Sequence, residues 1–134
     1  MAKIIKVRTY SVNRNGGEEA KDRGQLSIIE ENKDIPFDIK RIYYIYGSKN
    51  VERGGHRHKK TKSALICVSG EFKIFVNDGH SKKTFKLNTP EKCLLLNPRD
   101  WHTMISKDSK AVLLVLASEF YDVKDYIDKK YENH

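Results

Sequence analysis

The chain has 134 residues, which is enough for one domain and too few for two independent cores, because domains usually contain about 100–150 residues. Charged residues make up 33% of the chain and hydrophobic residues 38%, a balance that excludes both a disordered polyelectrolyte and a membrane protein. No apolar run is long enough to span a membrane or to form a signal peptide, so we expect a single cytoplasmic domain over residues 1–134. The net charge of +8 favours an anionic partner.

Short runs of β-branched and aromatic residues, separated by polar clusters and glycine, predict an all-β chain. The predicted strands are residues 4–9, 25–30, 41–46, 64–69, 71–76, 83–87, 92–96, 102–105 and 111–117. Nine strands in a chain of this length predict a sandwich or a barrel. Near the end, Val123, Tyr126, Ile127 and Tyr131 have the spacing of one helix face, which predicts a short C-terminal helix.

The segment RGGHRHKK, residues 53–60, contains the most informative residues for chemistry. If it is extended, His56 and His58 lie on one face and Arg57 lies on the other, because side chains alternate along a strand. In a barrel, one face points into the cavity where small ligands bind. His102 starts a later predicted strand, so it is a third candidate for the cavity.

Two inward histidines are compatible with a metal site, with an acid/base pair, or with buried polar residues that are merely satisfied by hydrogen-bond partners. This histidine spacing resembles the motif of metal-binding cupin barrels, in which a glutamate follows the two histidines by three or four residues. Lys62 and Ser63 occupy those positions here, and a lysine or serine there removes a ligand, so we expect no metal. Proton transfer is the main hypothesis, since histidine titrates near neutrality; solvated histidines in a basic loop are its alternative.

Several arginines and tyrosines suggest what the substrate carries. Arg23, Arg41 and Arg53 each adjoin a predicted strand, and guanidinium groups match the oxygens of a diphosphate. Tyr44 and Tyr46, with Tyr43, offer rings on which a base could stack, although such residues also form plain cores. There is no basic helix and no stripe of alternating basic and aromatic residues, so a nucleotide-linked small molecule fits better than nucleic acid.

Six segments in order resemble the dTDP-4-keto-6-deoxyglucose 3,4-ketoisomerases. They are DRG (22–24), DIPFDIKRIYYIY (34–46), RGGHRHK (53–59), LICVSG (65–70), WH (101–102) and the final segment 112–127. The resemblance implies a cupin barrel and a reaction without a cofactor. A base takes the C3 proton beside the C4 ketone, an enediol forms, and a proton returns at C4, which leaves the ketone at C3.

The resemblance also implies roles for individual residues. His56 and His58 become the proton-transfer residues, without a decision as to which is the base. The substrate-binding residues are Arg23, Arg41, Tyr44, Tyr46, Arg53, Lys59 and His102. Arg41 and Arg53 would bind the diphosphate or polarise the enolate oxygen, and Arg23 with His102 indicates a galacto-configured product. The family further implies a homodimer in which the N-terminal strand crosses to the partner.

Three other functions remain open at this level. A cupin 3,5-epimerase would act on the same class of substrate and leave the carbonyl in place. A metal-dependent cupin oxygenase would contain a transition metal. A non-catalytic module would bind the nucleotide sugar without turnover.

Overall fold

A computed structural model of the chain describes residues 1–11 and 24–133. The regular structure in these residues is almost entirely β. The strands are β1 (Lys3–Lys6), β2 (Arg8–Ser11), β3 (Gln25–Ile28), β4 (Arg41–Tyr46), β5 (Arg53–His58), β6 (Ser63–Ser69), β7 (Phe72–Asn77), β8 (Lys82–Leu87), β9 (Lys92–Leu96), β10 (Trp101–Ile105), β11 (Val112–Ala117) and β12 (Tyr126–Ile127). One 3-10 turn, Val123–Asp125, precedes β12.

Two five-stranded sheets pack face to face. The first has the order β1-β9-β6-β11-β4 and the second has the order β12-β5-β10-β7-β8, while β2 and β3 form a separate ribbon. All named strand pairs are antiparallel. Alternate residues of both sheets, such as Leu65 and Val115 from the first and Ile74 and Val76 from the second, form a buried core between them. The predicted all-β, cupin-type fold is confirmed. Within the described residues, the two sheets are not joined by backbone hydrogen bonds into a closed barrel.

A second apolar cluster lies on the outer face of the first sheet. Ile35 and Phe37, from the segment that leads to β4, pack there against Ala64, Ile66 and Leu116. The outward side chains of β4 are not part of this cluster. Ile42, Tyr44 and Tyr46 are each at least 60% exposed, which decides the position of two predicted site residues below.

The predicted C-terminal helix is wrong. Asp122 caps a single 3-10 turn by accepting a hydrogen bond from the Lys124 amide, and the chain then becomes extended at Tyr126. The cause is tertiary: β12 pairs with the free edge of β5, and those bonds outweigh a helical spacing of apolar residues. Similarly, the predicted strand 4–9 divides at Val7 into β1, which pairs with β9 of the same chain, and β2, which pairs with β3.

Among the described residues, we find no helix with the length and apolar character needed to cross a membrane.

Candidate active site

Four aromatic side chains meet on the inner face of three adjacent strands. The antiparallel registers place His102 of β10 opposite His56 of β5, and Tyr126 of β12 opposite His58 of β5. Because cross-strand partners share a face, all four rings lie together. The His56 ring is centred 5.1 Å from the rings of His58 and His102, and Tyr126 lies 4.6 Å from His56 and 4.7 Å from His58.

Two glycines allow β5 to bring the histidines to this position. Gly54 and Gly55 have φ values of +85° and +82°, in the left-handed region that favours glycine. The β5–β10 register shifts beside them, between His102 and Thr103. A Cβ atom on Gly54 would lie 2.9 Å from the carbonyl oxygen of His102, so any side chain there would push the two strands apart.

Replacing Gly54 with alanine is therefore expected to destabilise the protein by about 1–3 kcal/mol, through backbone strain and the clash with β10. Gly47→Ala is the matched control, because Gly47 also has a positive φ of +73° but meets nothing within 4 Å. The measurement is the free energy of unfolding in urea. Equal losses for the two variants would show that the close approach of β5 and β10 is unimportant.

Two histidines of the cluster have a hydrogen bond that orients the ring. His58 Nδ1 lies 2.8 Å from Oδ2 of Asp125, and His102 Nδ1 lies 2.9 Å from the backbone oxygen of Asp100. A carbonyl or carboxylate oxygen only accepts, so Nδ1 of His58 and of His102 carries the proton and Nε2 is left with a free lone pair.

Asp125 is the best-connected of the orienting groups. Besides His58, its carboxylate accepts hydrogen bonds from Thr61 Oγ1 at 2.5 Å and from the Lys60 amide at 2.7 Å. Burial alone would raise the pKa of Asp125, but these three hydrogen bonds together hold it below the usual value. Asp125 is therefore ionised at neutral pH and faces a histidine at close range.

The three histidines are neutral at pH 7. Burial, reinforced by the neighbouring His58, lowers the pKa of His56. Burial also lowers the pKa of His58, even though Asp125 opposes the change. Burial lowers the pKa of His102 to about 3. The cluster thus presents neutral imidazoles that can accept a proton or bind a ligand.

A cavity of about 370 Å³ opens beside this cluster, between β4 of the first sheet and β5 of the second. Its lining residues are Arg41, Tyr43, Ile45, Arg53, Gly54, His56, Met104, Tyr121 and Tyr126. Two of these are cationic, and none of the described lining residues is acidic. The Arg41 guanidinium lies over the rings of Tyr43 and Tyr121, at 5.4 Å and 5.6 Å, which holds it at the cavity wall.

The structure brings only some of the predicted site residues to this cavity. His56, Arg41 and Arg53 line it, and His58 and His102 lie beside His56 in the ring cluster. Lys59 is exposed and does not line the cavity. Arg23 lies outside the described residues.

Tyr44 and Tyr46 are placed differently from the prediction. They lie on the outer face of β4, 62% and 67% exposed, with ring centres 5.9 Å apart, while Tyr43 and Ile45 point into the cavity. The reason is the phase of the strand. The run RIYYIY has apolar or aromatic residues on both faces, so alternation alone did not show which tyrosine points inward.

Sequence reasoning missed Tyr121, Asp125 and Tyr126 as parts of this site, and it named Tyr43 only as a ring on which a base could stack. The three missed residues come from the C-terminal segment, part of which was predicted to be a helix. No local signal marks Asp125, because its histidine partner lies 67 residues earlier. Asp125 lies in the segment 112–127, which is one of the six segments that carry the family resemblance, but the resemblance gave this residue no role.

The three histidines are also close enough to bind a metal ion. One ring nitrogen from each lies within 4.8 Å of those of the other two.

Comparison with known proteins identifies the family. The family described as FdtA: WxcM-like, C-terminal matches residues 5–134. The chain belongs to this family. Its curated relatives include the TDP-4-oxo-6-deoxy-alpha-D-glucose-3,4-oxoisomerase of Aneurinibacillus thermoaerophilus, which is 45% identical over 112 residues, covering 83% of this chain and 80% of that protein. The resemblance found in the sequence is thereby confirmed.

Solved structures of 3,4-ketoisomerases have the same fold. The 3,4-ketoisomerase QdtA from Thermoanaerobacterium thermosaccharolyticum, solved in complex with TDP, is 40% identical, with a TM-score of 0.84 over 96% of this chain and 88% of that one. A variant of QdtA has been solved with TDP-4-keto-6-deoxyglucose. The TDP-quinovose 3,4-ketoisomerase WlaRB from Campylobacter jejuni is 38% identical, with a TM-score of 0.85 over 96% of this chain and 92% of that one.

Proposed function

We propose that this FdtA-family protein is a sugar 3,4-ketoisomerase that converts dTDP-4-keto-6-deoxyglucose to a dTDP-3-keto-6-deoxyhexose. One observation carries the proposal. A neutral histidine, His56, forms part of the wall of a cavity whose mouth contains two arginines, and a second histidine held by Asp125 lies beside it. The names of the relatives agree with this chemistry.

His56 is the member of the pair that meets the substrate, because it alone of the three histidines lines the cavity. Its free ring nitrogen takes the proton from C3. The C3–H electron pair forms the C3=C4 double bond, and the C4 carbonyl oxygen becomes the enediolate oxygen. The O3–H proton passes to the C4 oxygen, which becomes a hydroxyl group, while the C3=C4 electron pair takes a proton at C4 and C3=O forms. The formula is unchanged, so the reaction needs no oxidant or reductant.

His58 supports this step from behind His56. While His56 is an imidazolium, the adjacent His58 remains neutral, because two neighbouring cations in a buried site repel each other. Its Nδ1–H is fixed on Asp125, so Nε2 is the acceptor. His58 can therefore take the proton over from His56, which becomes neutral again while Asp125 stabilises the His58 imidazolium.

Arg41 and Arg53 supply positive charge at the cavity mouth. Guanidinium groups bind diphosphate oxygens in pairs and also stabilise an enediolate, whose charge develops only during the reaction. Lys59, the remaining predicted cation, is exposed and would contact the substrate from outside the cavity wall. The apolar side chains of Ile45 and Met104 form another part of the cavity wall.

The galacto configuration at C4 of the product is part of the proposal. It is based on Arg23 and His102 of the sequence. His102, 4% exposed, lies beside His56, so a change there would alter the wall of the cluster that faces the sugar.

A homodimer with an exchanged N-terminal strand is also proposed. The support for a dimer contact is the exposed apolar surface on β4, at the edge of the first sheet opposite to β1, where Ile42, Tyr44 and Tyr46 are each at least 60% exposed. The strand exchange itself is based on the family resemblance. Within one chain β1 pairs with its own β9, so the exchange requires that pairing to form between two copies. The cytoplasmic location predicted from the sequence stays a prediction.

The test of the function is to incubate the purified protein with dTDP-4-keto-6-deoxyglucose and to locate the carbonyl carbon by NMR. We expect the carbonyl signal to move from C4 to C3, with the proton couplings at C4 of the product reporting the galacto configuration. Epimerised C3 and C5 with the ketone still at C4 would favour the 3,5-epimerase. Unchanged substrate together with tight dTDP binding would favour a binding module.

Tyr43, rather than Tyr44, is expected to affect catalysis. Tyr43→Phe removes a hydroxyl group from the cavity wall and should lower kcat/KM by about 10-fold, the loss of one hydrogen bond to the substrate. Tyr44→Phe is the matched control on the same strand and should stay within about twofold of wild type. The reverse order would mean that the outer face of β4 contributes to a site.

A further inference from the structure

We propose that His56, His58 and His102 form a binding site for one divalent transition-metal ion, such as Zn²⁺ or Co²⁺, and that the bound ion blocks the isomerase. The geometric part of this proposal is independent of the proposed function, whereas the blocking part rests on it.

The first observation is the convergence of the three side chains. One ring nitrogen of each histidine lies within 4.8 Å of those of the other two. An ion bound by three imidazoles at about 2.1 Å needs these nitrogens about 3–3.5 Å apart. Binding therefore requires the rings to turn towards one another, from positions in which β5 and β10 already hold His56 and His102 as cross-strand partners.

The second observation is the set of hydrogen bonds behind the rings. Histidines that bind metals donate their other ring N–H to a carboxylate or a backbone carbonyl, which fixes the ring and leaves the ligand nitrogen unprotonated. His58 does so with Asp125 and His102 with the backbone oxygen of Asp100. Two of the three ligands are therefore oriented before an ion arrives.

The third observation concerns how an ion would reach the three histidines and which ions these ligands favour. His58 and His102 are 7% and 4% exposed, while His56 borders the cavity, so an ion could enter from the cavity and keep a water molecule as its fourth ligand. Three nitrogen ligands favour Zn²⁺, Co²⁺ and Ni²⁺ over Mg²⁺ or Ca²⁺, which prefer oxygen. The site lacks an anionic ligand and has Arg41 and Arg53 nearby, which makes it weaker than a structural zinc site.

The bound ion would block catalysis because it uses the same lone pairs as the reaction. His56 accepts the C3 proton through its free nitrogen, and a coordinated nitrogen has no electron pair to offer. Metal and substrate proton therefore compete for one atom. The ion and the enediolate would also occupy adjoining space in the cavity.

The binding test uses the full chain after removal of metals with a chelator. Co²⁺ is added, and its visible absorption and the heat of Zn²⁺ binding are measured. We expect one ion per chain and the absorption bands of nitrogen-bound Co²⁺. His102→Gln should abolish these bands, whereas His80→Gln, which changes an exposed histidine in a turn, should leave them unchanged.

A second variant keeps the test decisive if His102→Gln does not fold. Asp125→Asn alters only the support behind His58 and should weaken metal binding by about 10- to 100-fold. Circular dichroism establishes which variants are folded. No binding to the wild type, or equal binding to folded His102→Gln and the wild type, would overturn the proposal.

The activity test follows the metal-free and metal-loaded protein. The chelated protein should keep full isomerase activity. One equivalent of Zn²⁺, at a concentration above the dissociation constant of the site, should reduce this activity to less than about a tenth. Renewed chelation should restore it. Activity that increases on adding metal would overturn the blocking role. Because Co²⁺ absorption needs no turnover, an inactive protein would refute the proposed function without affecting the metal site.

Discussion

Replacing His56 or His58 with asparagine is expected to lower kcat by about 10²- to 10⁴-fold, the contribution of a positioned acid or base. Asparagine keeps much of the shape of the imidazole but does not titrate near neutrality. The affinity for dTDP should change by less than about twofold, because the arginines at the cavity mouth remain. The measurements are steady-state turnover by NMR and dTDP binding by calorimetry.

His80→Asn is the control for these variants, since His80 is exposed and lies outside the cavity. The two site variants are also expected to differ from each other. His56 meets the substrate directly, so its loss should be the more severe, whereas water can replace part of the role of His58. Wild-type turnover in either variant would remove that histidine from the proton-transfer step.

The second large effect is expected at Asp125, a positioning residue. Its carboxylate accepts from His58, Thr61 and the Lys60 amide, and an asparagine amide has one acceptor oxygen where the carboxylate has two. One of those donors therefore loses its partner, or His58 adopts the other tautomer and no longer presents Nε2 as an acceptor. Asp125→Asn should lower kcat by about 10- to 100-fold, a cost of about 1–3 kcal/mol.

A merely structural role would give a different pattern. If Asp125 acts through His58, kcat falls while KM and dTDP affinity remain close to wild type. Asp122→Asn is the matched control in the same turn, because asparagine also caps well and the Asp122 side chain accepts its hydrogen bond from the Lys124 amide, not from a histidine. The positioning role would be contradicted if Asp125→Asn lost activity only in parallel with thermal stability. In that case kcat, calculated for the fraction that remains folded, would equal that of the wild type.

Much of the fold could be predicted from local sequence. The bounds of β4 and β9 agree with the predicted strands 41–46 and 92–96, because apolar runs end there at Gly47 and Asn97. The alternation of His56 and His58 in an extended segment also agrees with the structure, since the side-chain period of a strand is fixed.

The remaining part of the site depends on pairing between distant segments. The phase of β4 was undetermined because both faces carry aromatic or apolar residues, and packing against the core placed Tyr43 inward. The tail has a helical spacing, but the free edge of β5 provides β12 with hydrogen bonds that a short exposed helix would lack. Asp125 and Tyr126 reach the histidines only through that pairing, which local patterns do not encode.

The central claim is that a histidine in this cavity moves a proton on the sugar. Its most direct test is the reaction of dTDP-4-keto-6-deoxyglucose in D₂O, followed by NMR of the sugar ring. The account predicts a 3-ketone with deuterium at C4 for the wild type and a rate of label entry reduced at least 100-fold in His56→Asn. Label at C3 and C5 with the ketone still at C4, or equal rates of label entry in the two proteins, would contradict it.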